Sequence, residues 1–277
     1  MTALQQPLTL ANVQGTATVY EQGAHVASWT PAQQDPVLFL SRKAVFAEGK
    51  AIRGGVPICF PWFGPGRSGD RSPAHGYART IPWRPVSATD EEAVFRLTEA
   101  DLPEQARAEF PHEFSCEYTV TVGAALEMKL ATTNTGGEPM EIEEALHAYL
   151  AVGDVRQAGV QGLDGVSYVD KVTGKTDMKQ SGEIVISGET DRVYRSGGPV
   201  SVVDPLLGRT LRITTSGAAD TVVWNPWEDN ARAIGDFADD EWTAMICVEA
   251  ANALDDYVTI APGETHEIVY RLEVGSI

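Results

Sequence analysis

Apolar and polar residues alternate along much of this chain. Phe114, Cys116, Tyr118, Val120 and Val122 are separated by Ser115, Glu117, Thr119 and Thr121, and after Gly123 the alternation resumes at Leu126, Met128 and Leu130. A period of two is that of a strand with one buried face, so this stretch predicts a β-hairpin. Leu211 and Ile213, after the turn 204–209, repeat the pattern, as do Ile268, Tyr270, Leu272 and Val274 after the turn 261–264. Trp242 to Asn252 is different. It is apolar at nearly every position, the mark of a strand covered on both faces in the middle of a sheet, and Glu249 is its single charge. Helix signals are few: Asp101 as N-cap, Pro103, Glu104 three residues after the cap and Phe110 before Pro111 predict one short helix, and residues 228–233 another turn or two. The 26 glycines and 16 prolines are spread along the chain, which suits many turns rather than a linker. The pattern predicts one antiparallel all-β domain over residues 1–277, a large sandwich or barrel.

Two segments interrupt this regularity with polar groups. In residues 140–152 strand periodicity puts Met140, Ile142, Leu146, Ala148, Leu150 and Val152 on one face and Glu141, Glu143, His147 and Tyr149 on the other. His147 can exchange a proton near neutral pH, or serve as a hydrogen-bonding histidine on a sheet face. Glu249, read at the end of its apolar strand, loses hydration, which disfavours its ionised form and moves it toward the range of a general base. A salt-bridged glutamate fits the same segment. A third unusual stretch, Arg53-Gly-Gly-Val-Pro-Ile-Cys-Phe-Pro-Trp-Phe-Gly-Pro65, reads as a fixed irregular loop and is followed by Ala74-His-Gly-Tyr-Ala-Arg79. Arginines on ordered loops suit bidentate recognition of phosphate or carboxylate. Trp62 and Trp227 could stack on a sugar or simply pack.

Charge and motifs narrow the function. With 39 acidic against 21 basic side chains, the net charge of −18 opposes nucleic acid and anionic membranes, so an anionic ligand needs a local group of arginines. Cys59, Cys116 and Cys247 are far apart with apolar flanks, which predicts buried free thiols rather than disulfides or a zinc site. That fits a reducing compartment. No long apolar run occurs, and Met1-Thr-Ala-Leu-Gln-Gln-Pro7 lacks a basic region followed by an apolar one, so the expected location is the cytoplasm. The glycine spacing of dinucleotide and phosphate loops, the helical zinc-protease motif and the serine nucleophile elbow are absent. No metal or other cofactor is expected.

Taken together, Arg53–Gly64, His75-Gly-Tyr-Ala-Arg79, Ala145-Leu-His-Ala-Tyr149, Thr190-Asp-Arg-Val-Tyr194, Trp224-Asn-Pro-Trp227 and Cys247-Val-Glu249 resemble, in order and spacing, the glucose-6-phosphate 1-epimerase (hexose-6-phosphate mutarotase) family, related to the aldose 1-epimerases. The resemblance runs from about Ala24 to the C-terminus. It implies a galactose-mutarotase-like supersandwich with the sugar in a groove on a sheet face. Carried over, it makes His147 and Glu249 catalytic and Arg53, Arg79 and Asp191 substrate-binding, with His75 close to the sugar. Two positions depart from the family pattern: Ala74 stands where a substrate-contacting glutamine is common, and Ala250-Ala251 replaces Pro-Gly after the glutamate.

The implied reaction opens an aldose ring and closes it on the other face, one base and one acid sufficing. In this scheme Glu249 takes the C1 hydroxyl proton and protonated His147 donates to the ring oxygen, from opposite sides of the groove, while Arg53 and Arg79 hold the phosphate and Asp191 accepts sugar hydroxyls. The expected partner is a small hexose phosphate, handled by a monomer. An epimerase for unphosphorylated aldoses, with both arginines in structural ion pairs, stays open, as does a non-catalytic sugar-binding protein of the same fold. A glycosidase using Glu249 and Asp191 is a further reading, which their separation decides.

Overall fold

Most of the predicted alternation is realised in two large antiparallel sheets. The computed structural model describes Leu4 and residues 6–277, so residues 1–3 and 5 of the stretch read above for a leader lie outside the described residues. Among the described residues there is one nine-stranded sheet and one eight-stranded sheet, with a three-stranded sheet from the N-terminus and a two-stranded ribbon beside them. The predicted hairpin is Phe114–Val122 paired with Ala125–Asn134, in unbroken register from Phe114 opposite Asn134 to Val122 opposite Leu126. Every second residue of its first strand is buried. The nine-stranded sheet extends from it through Thr265–Ser276 and Arg209–Ser216 on one side and Glu92–Thr98 on the other, so the C-terminal alternations also form strands here.

Met245–Asn252 is the central strand of the eight-stranded sheet, flanked by Asp220–Asn225 on one side and by Glu144–Leu146 and Tyr149–Ala151 on the other. All eight of its residues are buried, as its unbroken apolar pattern predicts. Its core-facing side meets the nine-stranded sheet: Tyr270 Oη donates to the Val248 carbonyl at 3.0 Å, and Ile246, Val248 and Leu150 share one apolar cluster with Tyr118, Met128 and Leu272. The three cysteines are free and buried. Among the described residues no helix is long and apolar enough to cross a membrane.

Four local expectations are corrected. The segment 140–152 is not one strand but Met140–Ile142, Glu144–Leu146 and Tyr149–Ala151, because the chain leaves the ladder at Glu143 and again at His147, whose N–H groups turn to the carbonyls of Pro61 and Pro57. The strand expected from Trp242 starts at Met245, after a turn Glu241–Ala244. Glu241 sets that turn: its carboxylate accepts from Ser41 Oγ, Arg42 N and Ala238 N. Glu249 therefore lies inside its strand rather than at the end. The loop 53–65 contributes one short ladder piece, Ile58–Cys59, against Ala145 and Leu146. The helix expected from Asp101 begins two residues later, Glu104–Glu109 after Pro103, and ends before Phe110 as expected. Asp101 instead turns back, its carboxylate accepting from Thr98 N and Oγ1 at 2.8 and 2.9 Å.

Candidate active site

Residues directly opposite in an antiparallel ladder share a face. Asp191 lies opposite Trp224, Trp224 opposite Cys247 and Cys247 opposite Tyr149, so these four form a row across four strands on the side turned away from the core. Glu249, two residues beyond Cys247 and opposite Val222, occupies the same face one step along. His147 precedes Tyr149 by two residues, where the chain bridges two short strands, and its ring stacks on Tyr149 with centroids 4.9 Å apart and planes 11° apart. The result is direct contact: His147 Nε2 lies 3.4 Å from Glu249 Oε1, with the side chains 8% and 1% exposed.

The loops over this face are held by backbone bonds that the glycines permit. His147 N donates to the Pro57 carbonyl and Tyr149 N to that of Gly55, tying the 53–57 loop to the histidine segment. Gly55 has φ +59°, and a Cβ there would stand 2.2 Å from the Val26 carbonyl oxygen, so no side chain fits. The loop delivers Arg53, whose Nη1 donates to Tyr149 Oη at 3.0 Å and whose Nε pairs with Asp236 at 3.1 Å. His75 sits in left-handed backbone, φ 66°, a conformation costing of the order of 1–3 kcal/mol in a non-glycine residue. Its Nδ1 accepts from Gly64 N at 3.2 Å and lies 3.2 Å from Cys59 Sγ. In the neutral ring this puts the proton on Nε2. The His75 and His147 rings are 5.5 Å apart.

Electrostatics single out the central pair. Burial pushes Glu249 well above the ordinary carboxylate range and Asp191 adds to this, while Lys171 and Arg79 pull the other way. Burial holds His147 well below its usual range, and Arg79, Arg53 and Lys171 oppose its charged form. His75 is lowered in the same way, by burial first and then by Arg79. Burial thus opposes the charged form of both groups, the forms the reaction scheme starts from. His147 Nδ1 and Glu249 Oε2 are buried without hydrogen-bond partners among the described residues. Such groups cost free energy, of the order of 1–3 kcal/mol each, and mark places where structure serves something other than stability.

All six residues expected in the site surround this face. His147 and Glu249 touch, rather than facing each other across a groove, and His75, Arg53 and Asp191 stand around them. Arg79 acts on the pair through its charge while its Nη2 donates to the Ala74 carbonyl at 2.7 Å. At the position where the family commonly has a glutamine, Ala74 thus offers backbone alone. Three groups were not foreseen: Tyr149 and Asp236, which hold Arg53, and Lys171, whose Nζ is 3.0 Å from Asp191 Oδ2. Tyr149 was legible as a neighbour of His147 on one face; Lys171 carried no signal, since a lysine in a polar turn is ordinary. A cavity of about 620 Å³ lined by Arg71, Tyr77 and Glu109 includes neither His147 nor Glu249.

A histidine and a glutamate in contact, seated among arginines and aromatics on one face of an antiparallel sheet, suit acid–base conversion of a small polar substrate. The chain belongs to the aldose 1-epimerase family, whose profile matches residues 6–273. It is 34% identical over 265 residues to a protein of Cenchrus ciliaris provisionally named glucose-6-phosphate 1-epimerase, covering 90% of this chain and 78% of that one. An Escherichia coli K12 protein of the same provisional name is 38% identical over 235 residues, covering 84% and 78%. A crystal structure from Salmonella typhimurium, provisionally titled a mutarotase, superposes with a TM-score of 0.88 at 31% identity, covering 97% and 90%. The galactose-mutarotase-like supersandwich is therefore the fold of this chain.

Proposed function

We propose that this protein interconverts the α and β anomers of a hexose 6-phosphate, glucose 6-phosphate first among them, with Glu249 as base and His147 as acid. The observation that carries the reading is the 3.4 Å approach of His147 Nε2 to Glu249 Oε1. Ring opening removes a proton from the C1 hydroxyl and adds one to the ring oxygen, and both oxygens are bonded to C1. A base and an acid serving two oxygens on one carbon must stand side by side. Glu249 takes the hydroxyl proton as O1 becomes a carbonyl; the C1–O5 bond breaks, and O5 takes the imidazolium proton. After rotation about C1–C2, O5 attacks the other face and both protons return.

Binding prepares this pair. A phosphate dianion beside Arg53 and Arg79 offsets cations that oppose imidazolium and so favours the protonated form of His147, while Lys171 keeps its pull toward ionised Glu249. In this reading His75 Nε2–H donates to a sugar oxygen, and Asp191 accepts from a hydroxyl. The clamp also holds the open chain while it rotates. The residues need no metal or nucleotide to do this.

Mutarotation of fresh α-glucose 6-phosphate, followed by polarimetry or NMR, should be accelerated far above the spontaneous rate. Arg53→Met should cost much more on glucose 6-phosphate than on glucose. A second reading, an epimerase for free aldoses, is favoured by the partners the arginines already have, Asp236 for Arg53 and the Ala74 carbonyl for Arg79. Equal losses on both sugars support that reading against the phosphate clamp. We also infer one domain and a monomer in the cytoplasm: the larger of two apolar clusters joins both sheets, large exposed apolar residues are few and scattered among the described residues, and the cysteines are unpaired.

A further inference from the structure

The row Asp191, Trp224, Cys247, Tyr149 crosses four neighbouring strands. At about 4.8 Å per strand it spans about 14 Å. Its Tyr149 end is bound by Arg53. The opposite end is bound by another cation, Lys171. This residue begins the turn between Ser167–Asp170 and Lys175–Lys179, and its N–H donates to the Asp191 carbonyl at 2.8 Å. Its Nζ is 3.0 Å from Asp191 Oδ2 and 5.0 Å from the centroid of the Phe63 ring. Lysine and aspartate side chains are each only a quarter exposed, so their attraction is far less screened than in a surface pair.

We propose that Lys171 is a positioning residue of this site: it fixes the Asp191 carboxylate for substrate and balances its negative charge beside Glu249. The need is physical. Two carboxylates on one sheet face repel, and the one that must release and regain a proton is the buried one. Without Lys171, Asp191 would be an uncompensated anion beside the base. Lys171 is the first of the two cations that favour ionised Glu249, Arg79 the second, and Asp191 the anion that opposes it. His147 touches the carboxylate, and Tyr270 from the other sheet and the thiols of Cys59 and Cys247 complete the titratable groups around it, these three held protonated by burial. The role rests on the proposed function, since positioning has meaning only for a working Glu249.

The test compares wild type with Lys171→Met, Lys171→Arg, Asp191→Asn and the Lys171→Met/Asp191→Asn double variant. The Glu249 carboxyl is titrated by difference infrared spectroscopy against Glu249→Gln, and kcat/KM for glucose 6-phosphate is measured against pH. Lys171→Met should raise the Glu249 midpoint by about 1 pH unit or more and move the acidic limb of the rate profile by the same amount. Lys171→Arg should leave both near wild type, and adding Asp191→Asn to Lys171→Met should bring both back down. A midpoint unchanged by Lys171→Met, or a raised one that Asp191→Asn does not reverse, overturns the inference. If the titrations behave as stated while wild type does not accelerate mutarotation, the charge balance stands and the proposed function falls.

Discussion

The two large sheets solve the same folding problem with different tolerance for polar groups. In the nine-stranded sheet the strand Phe114–Val122 keeps strict alternation with one uncharged partnerless oxygen, that of Tyr118. The sheet's buried charges, Asp204 and Arg209, lie opposite each other on one ladder, where Arg209 Nε alone lacks a partner among the described residues. The eight-stranded sheet buries His147, Glu249, Glu144 and Asn252, breaks its ladder at His147 and leaves polar atoms of His147, Glu144 and Glu249 without partners. A stretch selected for stability alone would fill these positions with apolar side chains, because a buried unpaired charge is costly and an isosteric apolar group is not. The difference separates a sheet built chiefly for the fold from the sheet that carries the proposed acid–base pair.

Substitutions on the chemical side should cost activity and little stability. Glu249→Gln or His147→Ala should lower the mutarotation rate by about 10²- to 10⁴-fold each, measured by polarimetry on protein whose folding is verified by circular dichroism. Full activity in a folded variant would remove the assignment. On the scaffold side the outcome should invert. Met128→Ala, in the middle of the nine-stranded sheet, should cost about 2–5 kcal/mol in denaturant unfolding while kcat/KM of the folded fraction stays within about twofold. A large loss of activity at intact stability would break the division between the sheets.

A smaller effect should appear in the pH dependence of stability. The unfolded chain ionises Glu249 above about 4.5, while the fold holds its proton to higher pH, so this group's contribution falls as pH rises from 4.5 toward the folded value. His147 acts at the other side: below about 6.5 the unfolded chain takes up a proton that the fold resists, so stability falls as pH drops through that range. Glu249→Gln should therefore remove the loss above pH 4.5 and be at least as stable as wild type near pH 7. Thermal melts of the two proteins across pH 4–8 check the sign.

Much of this was legible along the chain, and unevenly. The hairpin 114–134 and the strand 245–252 follow from periodicity because a strand's side chains alternate by covalent geometry and each face meets one environment. The boundaries shifted where side chains competed with the ladder: Glu241 caps the turn before Met245, and Asp101 bonds back to Thr98 instead of starting the helix. The broken course of 140–151 was hidden because its apolar residues still alternate, while the backbone turns to the prolines of another loop.

For the site, the chemistry of the individual residues could be stated from the sequence, and the resemblance gathered them into one pocket. Residue types, the buried setting of Glu249, the unpaired cysteines and the need for local arginines in an acidic chain were all determined there, since composition and period are properties of the chain itself. Tertiary structure alone decided that His147 and Glu249 touch, that Asp236 and Tyr149 hold Arg53, and that Lys171 pairs with Asp191. Those facts depend on which strands become neighbours and in what register, and register is settled by the packing of the whole sheet rather than by any segment within it.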